Sequence, residues 1–530
     1  MKGTFYNWII ACLIAIPMWC GAQVKPNDDP ARNLQKFSQF YRYLNGMYID
    51  TVHNAALIES AIRSVLSQLD PHSTYITAEE MVSVKETFGG SFSGIGIEFN
   101  ILNDTIIVVN VISGGPSEKV GLQPNDKIIA VDGKPSIGIK QTDVPKLLRG
   151  PKGTQVSLTV ARHGEQEPLE FLIVRDNIPI NTVDAAYMVN PTTGYVRVNR
   201  FADNTYRELF EAVEKMNKPE ALILDLRNNG GGTMDAAIAM SNFFLPQGSL
   251  IISTEGMKVP TSRYAAKVDG IFTKGKVIVL INESSASSSE IVAGAIQDWD
   301  RGLLIGRRSF GKGLVQTQFP LSDGSAVRLT VSRYHTPSGR AIQRPYENGR
   351  SDLYYEDFNK RFTAPNDSLP TDSTQIYQTL RSGRTVYGGG GITPDIIVPV
   401  DTTSYTKYWG DLIRKGVIED FIIDYLDKNR ADITARYPDP DRYIEEFSVT
   451  DEMLDKLVAA ADTAGIAPDP QALETSRLLI CTQLKASIAQ KIWTVNEFYR
   501  VVNKENDPVF AKALEVLDHW DEYSKGLISE

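Results

Sequence analysis

From about Asp28 to Glu86 apolar residues recur near a 3.6-residue period. Leu34, Phe37, Phe40, Tyr41 and Leu44 make one set, and Leu57, Ile58, Ile62, Val65 and Leu66 another. This spacing predicts two amphipathic helices, the second stopped by Asp70-Pro71. From Ser91 the texture changes to short apolar runs broken by turn residues. Ile106 to Val109 and Val156 to Val160 are strand-like, Asp132-Gly133 and His163-Gly164 are hairpin turns, and a helix is expected near Val144 to Leu148. That describes a compact all-β unit over residues 91–175.

Between residues 176 and 400 strands alternate with helices. The run Ala221 to Leu226 is a buried strand, followed by a glycine turn and a helix from about Met234. The run Val277 to Ile281 is another, followed by a serine-rich turn and a helix over about Glu290 to Asp298. Repeated strand-turn-helix order predicts an α/β core on a parallel sheet. Residues 345–387 are polar and are read as a surface insertion. Beyond residue 400 the pattern is helical again. Leu412, Ile413, Val417, Phe421, Ile422 and Tyr425 fit one face, so 401–530 is expected to be a helical accessory domain.

The N-terminus carries Lys2, an apolar run from Trp8 to Trp19, and small residues up to Ala22. This predicts a signal peptide over 1–22, cleaved after Ala22, and a helical region over 23–90. The run is shorter than the ~20 apolar residues that span a bilayer. An uncleaved anchor is the alternative, and acylation of Cys20 is disfavoured by the bulky, rigid Pro17-Met18-Trp19. Export to the periplasm or cell envelope follows. Of three cysteines only Cys481 lies beyond the signal, so the mature chain forms no internal disulfide. Five histidines without an HExxH pattern give no metal site, and none is expected. The 530-residue chain is 42% hydrophobic and carries a net charge of −10 without basic clusters, which argues against nucleic acid as a partner.

Four segments carry chemistry. The turn Asn282 to Glu290 brings small residues to a helix N-terminus, where free N–H groups and the helix dipole suit an oxyanion. A plain N-cap is the alternative. Lys312 lies between two glycines on an apolar strand, four residues before Gln316. A serine nucleophile needs a base, and lysine serves if burial lowers its pKa from ~10.4 toward ~7–8. A surface or salt-bridged lysine is the alternative. Gly230, Gly231 and Gly232 follow the buried strand and expose backbone N–H groups. A phosphate loop there would need a Walker lysine, which is missing. Gly94, Ile95, Gly96 and Ile97 offer successive N–H groups for a carboxylate ahead of a strand edge open to an added peptide.

Together these segments resemble the carboxyl-terminal processing peptidases, or tail-specific proteases. The most specific run extends from Ser285 to Gln316. Leu69-Asp70-Pro71-His72-Ser73, the PDZ-like 94–126 region, Leu224 to Gly232, Thr336 to Arg340 and Gly391 to Asp395 match in the same order. The resemblance covers roughly 30–400. It implies a multidomain α+β chain, with a ClpP/crotonase-like α/β core, an all-β PDZ domain, and helical N- and C-terminal regions. It implies Ser287 as nucleophile, Lys312 as general base and Gln316 as its orienting residue. The Ser288 N–H and one N–H from Gly230, Gly231 or Gly232 would form the oxyanion hole. Ile95, Gly96 and Ile97, with Gly94, would bind the substrate carboxylate.

Partners would be proteins or peptides with free C-terminal tails, with no cofactor. Membrane proximity and a homo-oligomer are left open. Ser288 stands where the family usually has alanine, and Ser285 and Ser289 are rival nucleophiles. Two other readings compete. One is a catalytically silent peptide-binding scaffold on the same fold. The other is a Ser-His hydrolase using His335 or His72.

Overall fold

The computed structural model describes residues 29–102, 104–112, 114–162, 165–363 and 375–527. The expected signal peptide and the His163-Gly164 turn lie outside them. The chain divides into two compact units, up to Ser64 and from Val65 onward. In the first, the helix Pro30–Met47 starts with proline at its first turn, and Asp29 caps it by accepting the Ala31 N–H at 3.1 Å. Its periodic residues Leu34, Phe37 and Phe40 are exposed.

The second unit is built on a six-stranded sheet. Its order is Val183–Met188, Thr193–Val198, Ala221–Asp225, Lys276–Ile281, Leu303–Gly306, Ile396–Ile397. The first pair is antiparallel and the remaining pairs are parallel. Parallel strands are buried on both faces, and alternate residues go to opposite sides. Leu222, Leu224, Val277, Val279 and Ile281 share one core with the helices Thr205–Lys215, Met234–Phe244 and Ser288–Asp298. Ile223, Ile278, Leu280 and Ile305 share another with Val509, Phe510, Ala513 and Val516 of the helix Pro508–Asp518.

The far C-terminus therefore closes one face of this sheet. The expectation of an accessory domain over 401–530 is corrected in this respect. Periodicity reports an apolar helix face but not what that face covers. The helices from Lys407–Arg414 to Arg477–Ile492 do have a core of their own, with Leu412, Phe421, Leu457, Ile480 and Leu484 inside it. The face expected over Leu412 to Tyr425 is interrupted at Gly416, where φ is +71°, and Ile413 is exposed.

A second sheet pairs Leu314–Pro320 and Leu250–Glu255 with the long strand Ala326–His335. The strand Thr74–Ile76 joins its other part, so residues 23–90 are not wholly helical. The polar 345–387 stretch is likewise more than a surface excursion. Its helix Ser351–Thr363 buries Tyr354 against Phe310, ring centroids 6.0 Å apart.

The all-β unit has the order Ile97–Leu102, Thr105–Val111, Lys127–Val131, Gln155–Ala161, Leu169–Val174. Asp132 and Gly133 both have positive φ, as the tight turn expected there requires. The ribbon Ser91–Gly94 with Asp176–Pro179 brackets this unit. Among the described residues no helix is long and apolar enough to cross a membrane.

Candidate active site

The strand Lys276–Ile281 runs into the helix Ser288–Asp298 through the serine turn. Ser285 and Ser289 are fully buried, and both hydroxyls are engaged. Ser285 Oγ donates to Leu226 O at 2.8 Å, and Ser289 Oγ donates to Asn229 O at 2.8 Å. Ser288 Oγ donates to Thr233 O at 3.1 Å. Ser287 is half-buried; its hydroxyl oxygen takes the capping-box place toward the Glu290 N–H, and among the described residues the hydroxyl donates no hydrogen bond. Its backbone sits at φ +54°, ψ −111°, a conformation that favours glycine. A strained serine at a strand-to-helix turn is an arrangement that suits a nucleophile.

Glu290 connects this turn to the lysine loop. Its carboxylate is fully buried. Oε1 accepts Ser309 Oγ at 2.5 Å and the Gly311 N–H at 2.6 Å. Oε2 accepts the Ser287 N–H at 2.8 Å and the Lys312 N–H at 2.9 Å. Burial pushes the Glu290 carboxyl above its ordinary value, against the pull of these four hydrogen bonds.

Lys312 is half-buried in the loop just ahead of Leu314–Pro320, not on the strand as expected. Gly311, at φ +90°, and Gly313 let this loop pass where side chains would collide: a Cβ on Gly311 would meet Arg344 at 2.4 Å. Burial, and then the charge of Arg328, hold the Lys312 amine below its ordinary pKa. Glu290 and Asp70 pull the other way without reversing the shift. Among the described residues the Lys312 amine and Ser287 hydroxyl are not hydrogen-bonded to each other.

Gln316 lies after an irregularity in the ladder, and its amide donates to Leu314 O at 3.2 Å and Thr330 Oγ1 at 3.3 Å. Thr330 Oγ1 donates in turn to Asp70 at 2.8 Å, and Asp70 also takes Ser73 Oγ at 2.6 Å. Burial pushes Asp70 up, but the bonds from Ser73, Thr330 and His72 outweigh it, and its pKa ends low. The Asp70-Pro71-His72-Ser73 motif is thus wired to the strand of Gln316. His72 is pushed down to about 4 by burial and by the Lys312 charge, and its Nε2 lies 3.2 Å from Tyr354 Oη. His335 Nδ1 lies 3.2 Å from Gly339 O. Among the described residues neither histidine is bonded to Ser287, so the geometry gives a Ser-His pair no support.

The glycine loop lies against the serine turn. A Cβ on Gly231 would stand 2.8 Å from Ser287 Cβ and 3.0 Å from Ser288 N. On Gly232, at φ +155°, it would meet Phe201 O at 1.8 Å. The Gly231 N–H donates to Asn229 Oδ1 at 2.9 Å. Among the described residues the N–H groups of Gly230, Gly232 and Ser288 have no partner, which leaves donors available for an oxyanion. Buried Asn229 fixes the loop through Val198 O at 2.8 Å and the Ala286 N–H at 3.0 Å. Asn228 and Asn282 exchange hydrogen bonds of 2.9 and 2.8 Å.

In the all-β unit Gly96 has φ +80° and Gly94 ends the ribbon strand. Ile95 O is held by Ser117, and Gly96 O by the Ile112 N–H at 3.0 Å. Among the described residues the Ile95 and Gly96 N–H groups are unbonded. Ile97 begins an edge strand. A free strand edge beside open N–H groups can accept an extended peptide ending in a carboxylate.

Among the described residues no group of three or more His, Cys, Asp or Glu could hold a metal ion. Sequence reasoning missed Glu290, Asn229 and Thr330 as parts of the site. For Glu290 a signal existed: serine followed three residues later by glutamate at a helix start is a capping-box pattern.

Comparison with known proteins places the molecule. Residues 192–347 match peptidase family S41, 93–173 match the PDZ domain, and 20–80 match the N-terminal domain of the activating protease CtpB. Residues 408–494 match a family of unknown function. A carboxy-terminal-processing protease of Bartonella bacilliformis is 40% identical over 319 residues, 59% of this chain and 73% of that one. The chain belongs to the carboxy-terminal processing proteases of peptidase family S41.

Carboxy-terminal processing protease CtpA of Bacillus subtilis is 36% identical over 58% of this chain and 66% of its own. The solved photosystem II D1 C-terminal processing protease is 31% identical over 58% of this chain and 83% of its own. Its TM-score is 0.34, so the family assignment rests on the sequence matches. Membership makes this carboxy-terminal processing protease a serine-type endopeptidase with a PDZ domain, an S41 catalytic domain and a helical C-terminal region.

Proposed function

We propose that this protease is exported to the periplasm or cell envelope and cleaves protein substrates near their C-termini. Ser287 is the nucleophile, Lys312 the general base, and residues 91–175 capture the substrate tail. The observation that carries this reading is the single Glu290 oxygen that accepts the backbone N–H of both Ser287 and Lys312. It brings to one place a serine whose hydroxyl proton has no acceptor among the described residues and a lysine whose charged form is disfavoured.

The substrate tail adds to the edge strand Ile97–Leu102 with its carboxylate on the Ile95 and Gly96 N–H groups. Neutral Lys312 takes the Ser287 proton as Oγ attacks the scissile carbonyl carbon. The carbonyl electron pair moves to oxygen, which is held by the Ser288 N–H and one N–H of the Gly230–Gly232 loop. Collapse breaks the C–N bond, and the amine leaves with the proton from Lys312. Water then hydrolyses the acyl-enzyme with Lys312 again as base. Gln316 orients the lysine once substrate is bound, since catalytic hydrogen bonds often tighten only in the complex.

Cleavage of a tailed peptide by wild type, Ser287→Ala and Lys312→Ala tests the reading. Both variants should be folded and inactive. Undiminished cleavage by either one refutes it.

A further inference from the structure

We infer that Asp507, in the C-terminal helical region, is a positioning residue for the oxyanion loop, acting through Arg227. The inference rests on the reading above, in which the loop after the Ala221–Asp225 strand supplies an oxyanion donor.

Arg227 stands on that loop, with its guanidinium between two carboxylates. On one side Nε lies 2.9 Å from Asp225 Oδ1, and Nη2 lies 2.6 Å from Asp225 Oδ2. On the other, Nη1 lies 2.9 Å from Asp507 Oδ1 and Nη2 lies 2.7 Å from Asp507 Oδ2. The contact to each carboxylate is bidentate in form, and Asp507 is 280 residues away in sequence. Asp225 is fully buried and also accepts Tyr195 Oη at 2.7 Å.

Asp507 does two things with one carboxylate. Its Oδ1 caps the helix Pro508–Asp518, accepting the Val509 N–H at 3.0 Å and the Phe510 N–H at 2.9 Å. That helix is fixed in turn by Val509, Phe510, Ala513 and Val516 in the sheet core. The position of Arg227 is therefore tied to a helix locked on the back of the catalytic sheet.

The loop needs such an anchor. Gly230 and Gly232 are exposed and have no side chain with which to hold themselves. An oxyanion donor helps only if it is already in place when charge develops. The Phe201 N–H holds Gly231 O at 3.0 Å and Ser288 Oγ holds Gly232 O at 3.2 Å, and the flanking residues supply the rest of the rigidity. Asn229 is held by Val198 O and by the Ala286 N–H, Asn228 by Asn282, and Arg227 by Asp225 and Asp507. Of these anchors Asp507 alone comes from the segment beyond both the S41 match and the 408–494 match. The C-terminal helices of this chain thereby reach the machinery at the front of the sheet.

Asp507→Asn separates the two roles. Asparagine caps helices about as well as aspartate, so the helix keeps its cap. The amide nitrogen, however, opposes Arg227 Nη2 and the charge is gone. On a tailed peptide kcat should fall roughly 10- to 100-fold, with KM within about twofold of wild type and the melting temperature nearly unchanged. Asp507→Glu keeps the charge but misplaces the cap, so it should lower the melting temperature and retain more kcat than the asparagine variant.

Wild-type kcat in Asp507→Asn, or a loss that only tracks the folded fraction in both variants, overturns the inference. Ser287→Ala is measured in parallel. Residual cleavage by it would count against the proposed chemistry, whereas an inactive Ser287→Ala beside a fully active Asp507→Asn sinks the positioning role alone.

Discussion

Ser287 and Lys312 donate their backbone N–H groups to the same oxygen, Glu290 Oε2, at 2.8 and 2.9 Å. Chain segments 25 positions apart are thus pinned to one buried carboxylate (312 − 287). Glutamine at this position has one acceptor oxygen where four donors converge. Glu290→Gln should cost about 1–3 kcal/mol of stability and lower kcat well beyond what the loss of folded protein explains. Thermal melts and kcat on one tailed peptide measure both.

Lysine chemistry sets the pH dependence. The native Lys312 amine lies below its ordinary 10.5 because of burial and then Arg328. Activity should therefore rise with pH along a single limb, with its midpoint under the ordinary lysine value. The stability sign follows from linkage. Between the lowered native pKa and 10.5 the unfolded chain binds more protons, so this residue's contribution to stability grows as pH rises through that window and is lost as it falls. Lys312→Met should flatten that slope and lower kcat roughly 10²- to 10⁴-fold. Full wild-type activity below about pH 5 would exclude a neutral amine as base.

Backbone strain at Ser287 can be measured apart from its chemistry. Ser287→Ala and Ser287→Gly both remove the hydroxyl, but only glycine relaxes φ +54°, ψ −111°. Both should be inactive, and the glycine variant should be the more stable by about 1 kcal/mol. Denaturant midpoints compare them, and equal midpoints would show that the turn stores no strain.

Gly231 packs where no side chain fits. Gly231→Ala would bring a Cβ to 2.8 Å from Ser287 Cβ at a φ of +99°. The expected result is a kcat loss on the order of 10²-fold, with the far-ultraviolet spectrum of the folded protein retained.

Tail recognition is tested by two peptides that differ only in a free or amidated C-terminus. The free acid should have the lower KM. Gly96→Ala, forced to φ +80° with a Cβ 3.1 Å from Ile178, should narrow that difference. An equal KM for the two peptides in wild type would deny the carboxylate a role.

Much of this architecture is legible in the sequence because it is local. Alternating apolar residues give the strands Thr105–Val111 and Gln155–Ala161, and the paired strand-turn-helix units give the parallel sheet. The motif around Ser287 and Lys312 is similarly compact. Long-range packing is not legible. Nothing in the pattern of 401–530 says that Val509 and Phe510 cover Ile223 and Ile278, or that Asp507 meets Arg227. Nor does composition show that Tyr354 in a polar stretch stacks on Arg344, 4.0 Å from guanidinium to ring centre. Between its two glycines Lys312 reads in the sequence as part of an apolar strand. The glycines on either side and the pull of Glu290 on its N–H keep it in the loop.

The most direct test is to trap the acyl-enzyme. Wild type and Lys312→Ala are mixed with a tailed peptide, quenched within a turnover and mapped by mass spectrometry. The account predicts an adduct on Ser287 in wild type and none in Lys312→Ala. An adduct on Ser285 or Ser289, or the same Ser287 adduct formed at the same rate without the lysine, would contradict it.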